Sequence, residues 1–372
     1  MARVLVAMSG GVDSAVAAAR LVDAGHDVTG VHLKLADLPV AEQVPGHGCC
    51  TLDDAQDARR AAQILRIPFY VWDLSEVFRA EVQDPFARDY ASGTTPNPCV
   101  TCNERVKYAA LLDRATTLGF DALATGHHVR LRDPGGAPVT TPTAGARLVR
   151  AADPGKDQSY VMYMATPDQL ARSLFPVGEL TKEEVRAEAA RFGLRVATKP
   201  DSYDVCFIPD GDTIGYLADR LPVVTGPIVD LDGRQLGTHD GIWRFTVGQR
   251  RGLGLGTHQR HFVIDLDATT NTVVVGPRDA LACRWLDLSA PTWTTGAPPP
   301  PGADLTAQVR AHGRPLPARL VDLGDGWRVE LVEPAHGVAV GQAAVLYDGD
   351  LCLGGGRIAA ADRPTVGVTV GH

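Results

Sequence analysis

No apolar run in this chain approaches the roughly 18 residues that a membrane-spanning helix needs, and no charged segment followed by a long apolar stretch and a cleavage site opens it. A cytoplasmic protein with no membrane partner is expected. Positive charge is not in excess either. The formal net charge is −8, so the total does not advertise a nucleic-acid partner, although a local basic stripe, rather than the sum, sets phosphate attraction. Nor is there an even set of cysteines. Seven in 372 residues, in a chain that begins with a nucleotide-loop pattern, speak against a secreted disulfide framework and for thiol chemistry or metal binding. No internal repeat is evident. What remains is the composition of a soluble globular protein, 45% hydrophobic and 22% charged, long enough for two or three domains.

Ser9-Gly10-Gly11-Val12-Asp13-Ser14 directly follows the apolar run of residues 4–8, which includes Ala7 and Met8. It reads as a phosphate-binding loop between a buried strand and a helix. Backbone N–H groups of a Gly-rich turn can approach phosphate oxygens, Ser hydroxyls can donate to them, and the following helix offers its positive end. Asp13 is then a candidate ligand for Mg²⁺. No Lys follows at Walker spacing, and the pattern is not GxGxxG.

Strand-like and helix-like segments alternate over the first two hundred residues. Residues 28–33 and 69–74 read as buried strands, 53–65 and 103–118 as amphipathic helices, and 121–125 as a strand ending at Gly126-His127-His128. That rhythm predicts an α/β, doubly wound parallel sheet with its ligand beyond the carboxyl ends of the strands. Residues 131–146 read as a flexible Gly/Pro/Thr-rich excursion, and Thr181-Lys182-Glu183-Glu184 as a capping box opening a helix. Beyond about residue 226 short β-rich runs take over, at 262–266, 272–275, 318–323 and 327–332, with a proline-rich join at 298–301. The expected division is a catalytic domain over 1–211, a small central β-rich domain over 212–297 and a C-terminal β-barrel-like domain over 298–372.

Cys99 and Cys102 are three apart, immediately before an expected helix whose dipole would favour a thiolate. Cys206 ends a polar loop entering an apolar run. No second Cys pair stands at zinc-site spacing. Cys49 and Cys50, after His47, read as a loop rather than a metal site, and Cys283 and Cys352 as core.

The chain resembles the tRNA-specific 2-thiouridylases, a family of the PP-loop pyrophosphatase superfamily. SGGVDS at Ser9, TPNPxxxCN ending at Asn103, ATGH at Ala124, GKDQSY at Gly155, DSxxxCFI at Asp201, GQRxGLG at Gly248 and LCLGGG at Leu351 carry the resemblance. It implies ATP-dependent sulfur transfer to C2 of the wobble uridine in tRNAs for Lys, Glu and Gln. ATP held by residues 7–14, with Leu33 and Gly126 lining the adenosine pocket, would adenylate the C2 oxygen. Cys206 would carry a persulfide from a sulfur-donor protein, a cysteine desulfurase or relay, and Cys102 would attack it. His127, Lys156, Asp157, Gln158 and Gln342 match tRNA-contacting positions. The chain departs from the best-known pattern at Cys99, where that pattern has an Asp proposed as acid or base. Cys99, Cys102 and Cys206 would instead supply three thiolates, a set able to hold a four-iron four-sulfur cluster with one iron open.

Residues 241–264 contain no Asp or Glu, while Arg244, Arg250, Arg251 and Arg260 are interleaved with Trp243, Phe245, His258 and His261. The stretch is a candidate RNA surface, with guanidinium groups on phosphates and Trp243 or Phe245 on sugar or base. Two other functions fit parts of the pattern. A PP-loop amide-forming ligase would need neither the Cys pair nor tRNA, and a tRNA-binding protein without catalysis would not need Ser9, Asp13, Cys102 and Cys206 together.

Overall fold

The structure, a computed structural model, describes residues 1–35, 52–200, 205–208, 210–256 and 260–364. His47, Cys49 and Cys50, the polar half of the Cys206 loop (residues 201–204) and His258 lie outside the described residues.

Val4, Leu5 and Val6 are wholly buried, as an unbroken aliphatic run covered on both faces of a parallel sheet should be. They form β1 (Arg3–Ala7), the centre of a five-stranded parallel sheet in the order β3-β2-β1-β4-β7. The others are β2 (Asp27–Lys34), β3 (Phe69–Asp73), β4 (Ala122–Ala124) and β7 (Ser173–Leu174). β3, expected as a buried strand, is the sheet's edge, with Tyr70 and Val71 exposed. Helix α1 (Val12–Asp23) follows β1 and buries an alanine-rich face, and α2 (Leu52–Leu65) covers β2 and β3. Strand order reverses at β1, so the crevice between the carboxyl ends of β1 and β4 is the topological switch point where such sheets bind ligands.

The 131–146 stretch is not a free excursion. It starts within β5 (Arg130–Arg132) and ends just before β6 (Arg147–Val149), a hairpin whose second strand meets Leu351 of the C-terminal barrel. The central module is a four-stranded sheet in the order β10-β11-β8-β9, from β8 (Gly226–Val229), β9 (Gln235–His239), β10 (Phe262–Asp267) and β11 (Thr272–Gly276). The barrel comprises β12 (Ala282–Trp293), β13 (Leu305–Gln308), β14 (Leu316–Asp322), β15 (Trp327–His336), β16 (Ala343–Asp348) and β17 (Leu351–Ala361), closed by β12 on β17. Prolines 298–301 therefore turn the chain between two barrel strands instead of joining two modules, because β12 already belongs to the barrel. The LCLGGG motif is the closure itself: a Cβ on Gly354 or Gly355 would lie 2.1 Å from the carbonyl oxygen of Thr292 or Ala344. Cys283 and Cys352 are core, as expected, and burial pushes their thiols up to about 11 and about 12.

Candidate active site

At the switch point Gly11 caps α1 with no side-chain hydrogen bond, so the N–H groups of the helix's first turn are left for a ligand, the arrangement that binds phosphate. Ser14 Oγ accepts from the Ser9 N–H and donates to the Gly11 carbonyl, both at 3.1 Å, folding the loop on itself. Two glycines are required by close approach. Gly10 (φ +83°) lies so near α2 that a Cβ would stand 2.3 Å from the Asp54 carbonyl oxygen, and a Cβ on Gly126 would stand 2.5 Å from the Ser14 nitrogen. Gly126 thereby seats the turn after β4 directly on the loop. Met8 is fixed by His32 Nδ1–H, which donates to its carbonyl at 2.9 Å, and Leu33 is buried at the carboxyl end of β2. The uncapped helix, the two glycines and the open strand ends fit ATP.

Asp13, expected as a Mg²⁺ ligand, faces the Lys182 ammonium and the His128 ring. Lys182 Nζ lies 2.8 and 2.7 Å from its two oxygens, and His128 Nε2 is 3.1 Å from one of them. Burial pushes the Asp13 carboxyl up, but the His128 hydrogen bond and the Lys182 charge outweigh it, and the carboxyl is held below its ordinary value. Mg²⁺ at this carboxylate would share its oxygens with Lys182 and His128. In the sequence Lys182 is marked only as part of a capping box, which the structure contains, with Thr181 accepting from the Glu184 N–H. The overlooked signal was electrostatic: a cation in the first turn of a helix opposes the dipole at a cost of about 0.3–1 kcal/mol and calls for an anion.

Gln158 Oε1 accepts the His128 N–H at 2.8 Å, so it braces this turn. Asp157 accepts from Arg150, Ser159 and two backbone N–H groups and is 9% exposed, which spends its oxygens inside the protein. Lys156 beside it is half-buried. Of this expected tRNA-contacting trio, Asp157 and Gln158 hold the fold of the turn.

The TPNPC segment builds its own helix start. Asn97 Oδ1 accepts from the N–H groups of Cys99 (3.1 Å) and Val100 (3.3 Å), and Pro98 occupies the first helical position. The helix begins at Pro98, earlier than expected, and runs Pro98–Thr101, then as a π-helix over Cys102–Leu111, then α-helical over Leu112–Thr117. Cys99 is half-buried and Cys102 buried. Phe207 plants the Cys206 segment among Phe78, Phe86 and Tyr216, with ring centroids 5.6, 5.3 and 5.2 Å away. Cys102 belongs to that apolar cluster and Cys206 packs against it. Cys99 and Cys102 thus stand on the first turns of one helix, and Cys206 on the segment that Phe207 anchors.

Gln342, also expected at tRNA, donates from Nε2 to the carbonyls of Thr95 (2.8 Å) and Pro96 (3.2 Å). The barrel thus holds the loop that carries the cysteines. Gln342→Ala is expected to cost about 1–2 kcal/mol, read as a lowered midpoint of thermal unfolding; an unchanged midpoint would deny the brace.

Trp243 and Phe245 are not available to stack on RNA. Both are about 5% exposed or less, Phe245 among Ile228, Ile242 and Val263, and Trp243 with its indole N–H on the Pro222 carbonyl at 3.2 Å. A small sheet domain needs its aromatics as core. Arg250, Arg251 and Arg260 are exposed, so the described part of the acid-free stretch offers charge while Trp243 and Phe245 serve the core.

Three family models match the chain in order: a tRNA methyl transferase HUP domain over residues 2–210, a tRNA methyl transferase PRC-barrel domain over 214–277 and an aminomethyltransferase beta-barrel domain over 284–358. The tRNA-specific 2-thiouridylase MnmA of Thermobifida fusca is 52% identical over 362 residues, 97% of this chain and 96% of its own length. Its counterpart from Acidothermus cellulolyticus is 53% identical over 370 residues, covering 98% and 99%. With the phosphate loop, the cysteine pair and the barrel in the same order along the whole chain, the protein belongs to the tRNA-specific 2-thiouridylase family.

Proposed function

We propose that this chain is a tRNA-uridine 2-sulfurtransferase that thiolates C2 of the wobble uridine in tRNAs for Lys, Glu and Gln at the expense of ATP. The observation that carries the reading is the pairing of two chemistries in one domain: an uncapped helix terminus with Lys182 and His128 at Asp13, and two cysteines on one apolar cluster.

The C2 oxygen of uridine is a poor leaving group, so it must first be activated. The oxygen attacks the α-phosphorus of ATP, the bond to pyrophosphate breaks, and pyrophosphate departs. First-turn N–H groups of α1 and the Lys182 ammonium meet the negative charge of the phosphates, and Mg²⁺ would accompany those phosphates. Cys206, loaded as a persulfide by a donor protein, supplies the sulfur. In one order its terminal sulfur attacks C2, AMP leaves, and the Cys102 thiolate attacks the Cys206 sulfur to release the thiolated base. In the other, Cys102 frees sulfide, which attacks C2. Both orders end with a Cys102–Cys206 disulfide and a 2-thiouridine, and both need an outside thiol to restore the pair. Burial of Cys102 keeps its thiol from casual oxidants.

Pyrophosphate release from ATP, measured with and without tRNA, together with sulfur incorporation from a persulfide donor, tests the assignment; release without sulfur incorporation would favour an amide-forming ligase. Arg250→Ala and Arg251→Ala should weaken binding of every tRNA and flatten its salt dependence, each lost phosphate contact lowering the slope of log K against log salt by about 0.7 to 0.9. An unchanged slope would place both arginines outside the interface.

A further inference from the structure

Cys102 opens the π-helical stretch Cys102–Leu111. In a π-helix hydrogen bonds run from i to i+5, so Lys107 stands one turn along from the cysteine. Its half-buried side chain reaches away from the helix to the turn after β4, where Nζ lies 3.4 Å from His127 Nε2. His127 Nδ1 is 2.7 Å from Thr125 Oγ1. An ammonium has donors only, so Nε2 accepts and the ring proton is on Nδ1, given to Thr125. His127 is therefore neutral, and burial, with the neighbouring charges of Lys107 and His128, holds its pKa well below the usual histidine value.

A neutral acceptor aims an ammonium without cancelling its charge. The contrast with the other lysines around the loop is direct. Lys182 has both oxygens of Asp13, and Lys199 has Asp54 at 2.7 Å and Asp57 at 2.8 Å. Among the described residues no carboxylate pairs with Lys107. A partly desolvated cation without a counter-charge is costly until an anion arrives. Gly126 presses this same turn onto Ser14 and Asp13, so the charge borders the nucleotide loop on the side of Cys102.

We propose that Lys107 binds the phosphate of the nucleoside monophosphate joined to the uridine oxygen. When sulfur attacks C2, the C2–O bond breaks and its electron pair leaves on the phosphate oxygen, and the ammonium holds that oxyanion. The direction of the side chain, toward the nucleotide turn and not back along the helix, favours phosphate over the Cys102 thiolate. The assignment rests on the adenylating reaction proposed above.

AMP and adenosine, titrated separately onto the full-length protein and its Lys107→Met and Lys107→Arg variants, test it. Adenosine should bind all three alike. AMP should bind Lys107→Met about tenfold more weakly, and Lys107→Arg should recover most of the loss. Equal weakening of both ligands would make Lys107 a prop for the turn and overturn the proposal. AMP affinity within about twofold of the parent would remove the phosphate contact and overturn it too, all the more if the pH at which Cys102 alkylates rises instead. These titrations involve no turnover, so a failure of the parent protein to transfer sulfur, which would sink the thiolation reading, is registered separately.

Discussion

Lys182→Ala is expected to lower adenylation, read as tRNA-dependent pyrophosphate release, by about a hundredfold or more, the scale on which loss of one preorganised charge at a developing anion is felt. The lysine stands in the first turn of its helix, where the dipole disfavours it, and both oxygens of Asp13 keep it there. Because the Asp13 carboxyl lies below its ordinary value, it is ionised throughout the neutral range; the pair's contribution is complete above the ordinary carboxyl value and lost only as pH falls through the lowered one. Asp13→Asn should give a loss of the same order, since it leaves Lys182 unaimed. The double variant should be little worse than either single one, because partners that act as a unit are not additive. Binding of tRNA should stay within a few-fold for all three. Adenylation by Lys182→Ala within about threefold of the parent would show that the ammonium does not meet the phosphates.

What could be read from the sequence, and what could not, divides by the range of the signal. The Ser9 loop was legible because its requirements are local: a strand, a pair of glycines and a helix start follow one another directly in the chain. Asn97 and Pro98 likewise announce a helix start. Lys182 was hidden, since its partner Asp13 is far away in the chain and its own neighbourhood spells an ordinary capping box. The β5–β6 hairpin looked like loose chain because the strand it joins comes two hundred residues later. Trp243 and Phe245 were misread for a related reason. Aromatics among arginines have the same local pattern whether they face RNA or a core, and only the fold of the central sheet decides. The π-helix at Cys102 leaves no signature in periodicity, and Asp157, Gln158 and Gln342 gave no hint that their hydrogen-bonding groups are engaged within the protein.

Cys102→Ala and Cys206→Ala are each expected to reduce thiolation by about a thousandfold or more, the scale of losing a nucleophile, whereas Cys99→Ala should stay within about tenfold of the parent. All three thiols share one region, but their settings differ. Cys102 belongs to the apolar cluster that holds Val100 and Phe207, and Cys206 packs against the same cluster, a placement that suits an attacker and a carrier. Cys99 lies at the start of the helix, its N–H on Asn97, outside that apolar cluster. A relay needs one attacker and one carrier, while a cluster needs every ligand at once. The same three variants therefore separate the two chemistries when iron is measured beside thiolation. Under the relay, protein stripped of iron turns over with a persulfide donor as fast as protein reconstituted without oxygen, and Cys99→Ala changes neither quantity much. Loss of iron and thiolation together in Cys99→Ala would instead show that the three cysteines gather around a cluster when it is present, and that Cys99 replaces the acid of the better-known pattern with a ligand.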